Sequence, residues 1–423
     1  MIVKYDIAVV GGGPAGITAA LTAKRQNKDL SICLIEKNGA IGKKLKMTGG
    51  GRCNFTNNKD ISEFFDVIVN NEKFMYSALY SYTNEDIKKE VNKLGLEYIV
   101  EKNNDDKVYL GSGNSQDLID AFERELRKSE IDIFYNEKVK KVEIESDEKV
   151  IECDNLAVRC KKIIFATGGL SFPQTGSDGS VIYMMKNKGY NIIKPLSALT
   201  TIDIENKWLK NNPGISLSNV RIDIFKASKR GKKKKLFKSI NGDIIFTHTG
   251  LGGPAILKTS SYINRCLEDV EVKIDFIPDI DENNLMDIIK SNPKKTVANN
   301  LKDVLPNNFI KAVVEKCSDE SESKFNFLSD QSGNISKNDL KVILSLVKEC
   351  NVEIKSLGKL DKATITSGGI NVRQINSSTM ESNLHSGIYF AGEMIDVDAL
   401  TGGYNLQIAF STGYLAGMNS AIG

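Results

Sequence analysis

Apolar and polar positions change their spacing along the chain, and each change predicts an element. Residues 6–10, Asp-Ile-Ala-Val-Val, form a short β-rich run suited to a buried parallel strand. A glycine turn follows, and apolar positions then recur at helical spacing through Ile17, Ala20 and Leu21 as far as Lys24. Residues 32–35, Ile-Cys-Leu-Ile, return to a continuous apolar run that ends at Glu36. Two more such runs come later: 161–165 leads into Ala166-Thr167-Gly168-Gly169, and 387–391 into Gly392-Glu393. Leu400-Thr401-Gly402-Gly403-Tyr404-Asn405 then opens an apolar helix over 406–418.

The middle of the chain reads differently. Residues 196–260 hold alternating runs such as 220–225, and a polar turn at 229–232 leads to Leu236-Phe237, the pattern of a hairpin. Over 281–349 the spacing is helical, through Leu285, Ile288 and Ile289, then Phe309, Ile310, Val313 and Val314, then Leu340, Ile343, Leu344 and Val347. Asn307 and Ser336 stand at cap positions, with Asp339 at the third helical position after Ser336. Segment 351–358 returns as a strand, and Pro195 with the Thr-rich stretch after it marks a handover between domains.

The turn after the first strand reads Gly11-Gly12-Gly13-Pro14-Ala15-Gly16, a G-x-G-x-x-G between strand and helix, with Glu36 20 positions beyond the last glycine. Each part has a physical reason. Gly11 allows the tight turn, Gly13 lets backbone approach a pyrophosphate, and Gly16 permits close helix–strand packing. The helix N-terminus offers unpaired N–H groups and a positive dipole end to the anion, and Glu36 is placed to accept from ribose hydroxyls. Nucleotide-like segments at both ends of the chain suggest one site closed by distant pieces, which suits FAD. Glu393 would bond ribityl hydroxyls, and the helix opening near Gly403 would aim N–H groups at the flavin ring. Alternatively, Glu393 only satisfies nearby backbone N–H groups.

Composition narrows the field. With 423 residues, 41% of them hydrophobic, the chain is too long for one core, so two or three domains are expected. Lys and Arg total 57 against 54 Asp and Glu, a net charge of +3, which argues against a dedicated nucleic-acid binder. Seven cysteines without a CxxC suit a reducing cytoplasm and make neither a disulfide framework nor a zinc site. Two histidines, His248 and His385, leave no multi-His metal centre. No apolar run reaches the roughly 18 residues of a membrane span. A cytoplasmic protein is expected, with its oligomeric state open.

Further stretches carry a resemblance. Lys43-Lys44-Leu45-Lys46-Met47-Thr48-Gly49-Gly50-Gly51-Arg52-Cys53-Asn54-Phe55-Thr56-Asn57 resembles the signature of the BaiN-like flavoproteins, within the two-dinucleotide-binding-domain superfamily. The likeness recurs at Ala166–Gly169 with Ser171 and Pro173, at Phe246–Ala255, at Thr364, Thr366 and Gly368–Ile370, and from Ala391 to Gln407. It implies an α/β fold: a Rossmann-type FAD-binding domain formed by both chain ends, with an inserted β-barrel-like domain and a small helical domain. The expected bounds are 1–193 and 363–423 for FAD binding, 194–270 for the β-rich insert, 271–349 for the helices and 350–362 for a return strand. It also implies hydride reduction of a conjugated C=C bond in a hydrophobic small molecule such as a 3-dehydro bile acid.

The glycine-dense loop from Thr48 to Asn54 is therefore placed beside the flavin ring, with Arg52 and Asn54 holding phosphate or ring oxygens. Expected cofactor contacts also include Lys37, Lys44, Val139, Asn405 and Leu406. Cys53 reads as a buried structural thiol rather than a dithiol relay. His248, ending the apolar strand 244–246 before a glycine turn, is either a substrate donor or a structural histidine, and Tyr404 is a second donor candidate. His385 reads as exposed. The turn Gly250-Leu251-Gly252-Gly253 lacks the third glycine and acid of a second fingerprint, so NADH or NADPH would dock only transiently, or another electron donor would reduce the flavin. The run Lys232 to Lys235 reads as a solvated hairpin tip rather than an anchor for an anion. Two other functions compete: an FAD-dependent oxidase of a small amine or aminoketone, and a non-catalytic FAD-binding regulator. A flavoprotein acting on RNA is disfavoured by the near-neutral charge.

Overall fold

The apolar run near the N-terminus becomes β1 (Ile2–Val10), and burial closes over Ile7, Ala8, Val9 and Val10. The computed structural model describes residues 1–227, 234–321 and 323–422. Parallel neighbours flank β1 on both sides: β2 (Ile32–Ile35) and β4 (Ala157–Phe165). Beyond them lie β3 (Asp132–Phe134) and β5 (Ile388–Phe390), giving the parallel order β3-β2-β1-β4-β5. Strands buried on both faces explain why these runs are apolar throughout rather than alternating. The antiparallel strands Lys141–Glu143 and Lys149–Glu152 extend the sheet beside the first half of β4.

The helix α1 (Pro14–Gln26) follows the glycine turn, and α2 (Tyr404–Ser420) packs on it from the other end of the chain. Small residues permit a close approach. A Cβ added at Gly413 would lie 2.3 Å from the Ala15 carbonyl oxygen, and one at Gly417 2.3 Å from that of Ala19. The chain divides into two compact units, 1–198 with 360–423, and 199–359. The first has its own apolar core, including Val9, Leu34, Ile163, Phe165, Phe390 and Phe410.

The second unit is built on a seven-stranded antiparallel sheet. Its order is Cys350–Val352, Val270–Asp275, Ser216–Ala227, Lys234–Phe246, Gly250–Gly252, Ile202–Ile204 and Ile354–Leu357. The helices Glu282–Lys290, Asn307–Glu320 and Lys337–Lys348 share one core with that sheet, where the Phe276 and Phe309 rings meet edge to face at 4.7 Å. The helical segment over 271–349 thus forms one unit with the strands. Ser336 caps Lys337–Lys348 in a capping box with Asp339, whereas the cap before Asn307 is Pro306, one residue earlier than the spacing suggests.

The first boundary also differs from the one expected. Pro195 lies inside the strand Ile192–Ala198, which pairs with Ile365–Ile370 in the first unit. The register shifts between Ile193 and Leu196, and a proline without an N–H is tolerated at such a bulge. The hairpin strands pair from Ser216 with Ile245 to Ala227 with Lys234. The polar turn at 229–232 and the first half of the Lys232–Lys235 run lie outside the described residues. Among the described residues no helix is long and apolar enough to cross a membrane.

Candidate active site

The three fingerprint glycines do three different things. Gly11 has φ +109°, and a Cβ there would lie 2.4 Å from the Ala166 carbonyl oxygen, where β1 and β4 come together. At Gly16 a Cβ would lie 1.9 Å from the Gly11 carbonyl oxygen, so the helix sits directly on the turn. Around Gly13, by contrast, nothing lies within 4 Å of that position. Gly13 is the N-cap of α1, no side chain caps the helix, and Pro14 and Ala15 begin it. Open space beside an uncapped helix N-terminus is where an anion finds free N–H donors.

Glu36, at the end of β2, is buried. Its Oε2 accepts from the Gly12 N–H at 2.8 Å, and its Oε1 accepts from the Asn38 N–H at 2.8 Å and the Asn38 side-chain amide at 2.7 Å. This fixes the carboxylate against the turn. Lys37 pairs with Asp178 at 2.8 Å. Burial raises the Asp178 pKa, but Lys37 and Ser180 outweigh it and hold it at about 2. Val139 is buried, close in sequence to Glu137, whose N–H donates to the Glu36 carbonyl oxygen at 3.0 Å.

The second glycine cluster forms a left-handed turn, with φ of +59°, +66° and +90° at Gly49, Gly50 and Gly51. No atom lies within 4 Å of an added Cβ at Gly50 or Gly51, so this backbone too is open to a flat partner. Thr48 closes the turn: its carbonyl accepts from the Cys53 N–H at 3.0 Å and its hydroxyl donates to the Leu45 carbonyl at 2.7 Å. Cys53 is fully buried, and burial pushes its thiol up to about 12.

Other expected contacts are engaged by the protein itself. Arg52 is exposed, pairs with Glu101 and stacks over the Tyr109 ring at 4.1 Å. The Asn54 amide, turned to satisfy its neighbours, donates to the Thr56 carbonyl at 2.9 Å and the Val108 carbonyl at 3.1 Å, and accepts from the Gly403 N–H at 3.1 Å. Asn405 braces the loop before α2, accepting from the Ala399 N–H at 2.9 Å and donating to its carbonyl at 2.7 Å. Leu406 is partly buried in the first unit.

A polar knot joins Lys44 to the C-terminal segment. Lys44 Nζ donates to Glu393 Oε2 and to the Ser171 hydroxyl, each at 2.6 Å. Glu393 Oε1 accepts from the Thr366 N–H at 2.8 Å, the backbone-satisfying role left open in the sequence, and from Ser171 at 3.0 Å. Thr366 Oγ1 in turn accepts from the Leu170 and Ser171 N–H groups. Ser171 and Thr366 fall inside stretches of the family likeness; Asn38 carried no sequence signal beyond lying two residues after Glu36. Gly168 turns at φ +75°, Thr167 approaches the Met394 sulfur at 4.0 Å, and a Cβ at Gly392 would meet that of Ala15 at 2.9 Å.

The donor candidates separate. Tyr404 is buried edge-on against Phe64 at 4.9 Å, with its hydroxyl closed off from solvent and the Lys59 ammonium beside it. His248 is exposed in the turn between Lys234–Phe246 and Gly250–Gly252 of the second unit. The glycines after it serve packing: a Cβ at Gly250 would lie 2.1 Å from the Ile202 carbonyl oxygen. His385 is half-buried rather than exposed, its Nε2 3.1 Å from the Lys188 carbonyl oxygen. A separate cavity of about 220 Å³ lies along α1 and α2, beside the Arg25–Glu90 ion pair, and is lined by none of the fingerprint residues.

The arrangement has counterparts among known proteins. Over 419 residues the chain is 26% identical to a 3-dehydro-bile acid delta(4,6)-reductase of Clostridium scindens, covering 98% of each chain. It is 30% identical to a ribosomal RNA dihydrouridine synthase of Haemophilus influenzae, covering 97% of each. Among solved structures, a 3-ketosteroid-delta4-(5alpha)-dehydrogenase from Rhodococcus jostii shares the fold at 15% identity and a TM-score of 0.51, over 99% of this chain and 97% of that one. The model of the HI0933-like protein Rossmann domain matches residues 5–419, a span that takes in the fingerprint, the second glycine turn and the closing helix alike. A parallel sheet completed from both ends of the chain, with an open glycine cradle at its centre, is thus the form these residues take in a member of the HI0933-like Rossmann family, to which this chain belongs.

Proposed function

We propose that this protein is an FAD-dependent reductase that delivers hydride to a C=C bond conjugated with a carbonyl, its flavin reduced by NADH or NADPH. The observation that carries the reading is the open cradle at Gly13, with Glu36 held beside it. The first N–H groups of α1 would hold the pyrophosphate, Glu36 the ribose hydroxyls, and the open backbone at Gly50 and Gly51 would lie against the ring. Bound FAD supplies two-electron hydride transfer. The protein's part is to hold the ring, exclude water and supply a hydrogen-bond donor or proton at the carbonyl end of the substrate, for which His248 is the candidate.

The substrates named for the two curated relatives share one chemical element. A 3-keto-4,6-diene and a uracil ring each place the bond to be reduced in conjugation with a carbonyl. We read the uracil of an RNA as the substrate here, because charge is unevenly spread. Residues 199–359 hold 26 Lys and Arg against 21 Asp and Glu, a net charge of +5, and the rest 31 against 33, a net charge of −2. The whole-chain balance, which disfavours a nucleic-acid partner, averages over this difference. A hydrophobic enone is the second reading, favoured by the bile-acid reductase relative.

The test starts with the visible spectrum of the purified protein under anaerobic addition of NADH, then NADPH. The reduced protein is next given ribosomal RNA lacking dihydrouridine, or a 3-keto-Δ4 steroid. Bleaching by one nucleotide and a two-hydrogen mass gain on uridine is the expected result; gain on the steroid alone selects the second reading. Flavin bands that neither nucleotide bleaches overturn the reductase and favour an oxidase or a regulator.

A further inference from the structure

In the second unit, one stretch of strand departs from the pattern of its neighbours. Lys234–Phe246 buries alternate residues in its latter half, at Ile240, Ile244 and Phe246, as a strand with one face on a core does. From Lys234 to Ser239, however, six consecutive residues are exposed, so both faces of the strand stand open. Leu236 and Phe237 are 57% and 49% exposed. Cross-strand pairing sets Lys226 opposite Lys235, and like charges directly opposite each other are destabilising. An anion laid across them would relieve that repulsion.

Ammonium groups and aromatic rings interleave on this end of the sheet. Lys226 lies 5.4 Å from the centre of the Phe237 ring, and Lys238 5.2 Å from that of Tyr262; the two rings meet edge to face at 6.3 Å. Two carboxylates are nearby, and both are engaged. Asp223 accepts from Ser239 and pairs with Arg221 at 3.1 Å, while Glu271 pairs with Lys234 at 3.7 Å. Lys226, Lys235 and Lys238 form no ion pair with another described residue. Between positions 221 and 238 the sequence has nine Lys and Arg against one acidic residue.

We infer that this end of the hairpin is a docking arm for single-stranded RNA, with Lys226, Lys235 and Lys238 on the phosphates and Phe237 and Tyr262 offering faces on which bases stack. The inference rests on the RNA reading above and adds the surface that recognises the polymer. Lysines seat the backbone without reading sequence, and the exposed Phe237 ring, with the half-buried Tyr262 beside it, offers a face on which any base stacks. An anionic bilayer would satisfy the lysines but would call for a broader apolar face than two exposed side chains.

The test uses the full-length flavoprotein and a short single-stranded RNA of mixed sequence, with affinity measured across salt concentrations. The variant carries Lys226→Gln, Lys235→Gln and Lys238→Gln together; Phe237→Ala is made separately. The triple variant should bind RNA about tenfold or more weakly, and its log–log salt slope should flatten by about 2, at about 0.7 per lost phosphate contact on a single strand. Phe237→Ala should weaken binding about tenfold with the slope unchanged. Flavin content and bleaching by nicotinamide should match the wild type in both, which marks folded protein. RNA affinity and slope equal to the wild type in the triple variant would overturn the arm, as would wild-type protein that binds phosphatidylglycerol vesicles and not RNA. A wild type that binds RNA through these lysines yet forms no dihydrouridine leaves the arm standing and removes the uracil reading. Dihydrouridine formed equally well by the triple variant with unchanged affinity removes the arm alone.

Discussion

Two glycines three residues apart in the same turn answer to opposite demands. Gly16 is glycine because backbone presses on it, and Gly13 because nothing does. A substitution at each should therefore fail differently. Gly13→Val should give a folded protein with the melting temperature of the flavin-free wild type and little or no bound flavin, whereas Gly16→Val should not fold; calorimetry and the flavin absorbance of each purified protein separate the two. Cys53 makes a chemical prediction: with its thiol pushed to about 12 by burial, it stays protonated at pH 8 and should resist alkylation until the protein unfolds, as peptide mass mapping would show. For His248, exposed at its turn, the His248→Ala protein should keep its flavin and its reduction by nicotinamide while the oxidative half-reaction with substrate slows by about 10²-fold, a stopped-flow measurement. The glycine roles were legible because spacing alone encodes them. The partners of Glu393 and Asn54 were not, since Lys44 meets Glu393 across 349 positions and Asn54 meets the helix-opening Gly403.

At the scale of elements, periodicity identifies strands and helices but is silent on which faces meet. The helical spacing over 281–349 is plain, yet nothing in it reveals that Phe309 and Leu340 share a core with Phe246 of the sheet. Pro195 misleads for a related reason. A proline signals the end of a strand only if the strand has no bulge to absorb it, and Ile192–Ala198 has one. The contact of α1 with α2 gives the sharpest element-level prediction. Because a Cβ at Gly413 would enter the Ala15 carbonyl, Gly413→Val must drive the helices apart and should cost about 3 kcal/mol or more, read from denaturant unfolding. The same change at Gly95, where an added Cβ has open space, should cost only the strain of its φ of +79°.

Over the whole molecule, the chain is organised as an interrupted sheet. The strand, glycine turn and helix of the fingerprint end were legible from sequence alone, and so was the general idea that the far end of the chain returns to it. What spacing could not supply is how that end returns: β5 is the edge strand of the parallel sheet, and α2 lies on α1. The charge asymmetry between the two units was equally hidden, because it appears only once the boundaries at 198 and 360 are drawn. Truncation before Gly387 removes β5 and α2 together and should abolish both the cooperative melt and flavin binding, even though every residue of the glycine fingerprint remains; differential scanning calorimetry with flavin absorbance checks this.

That late return sets an order of events during synthesis. Domains tend to fold as they emerge, beginning at the N-terminus. Here the sheet that begins at Ile2 waits for Ile388, so the first unit stays open while the ribosome makes the whole of 199–359, which carries its own core. The inserted unit is therefore free to fold ahead of the unit that encloses it. If the proposed FAD site is right, capture of the cofactor is one of the last steps in the chain's maturation, and a nascent chain stalled before β5 would expose the β4 edge and the bare glycine turn with no means of retaining flavin.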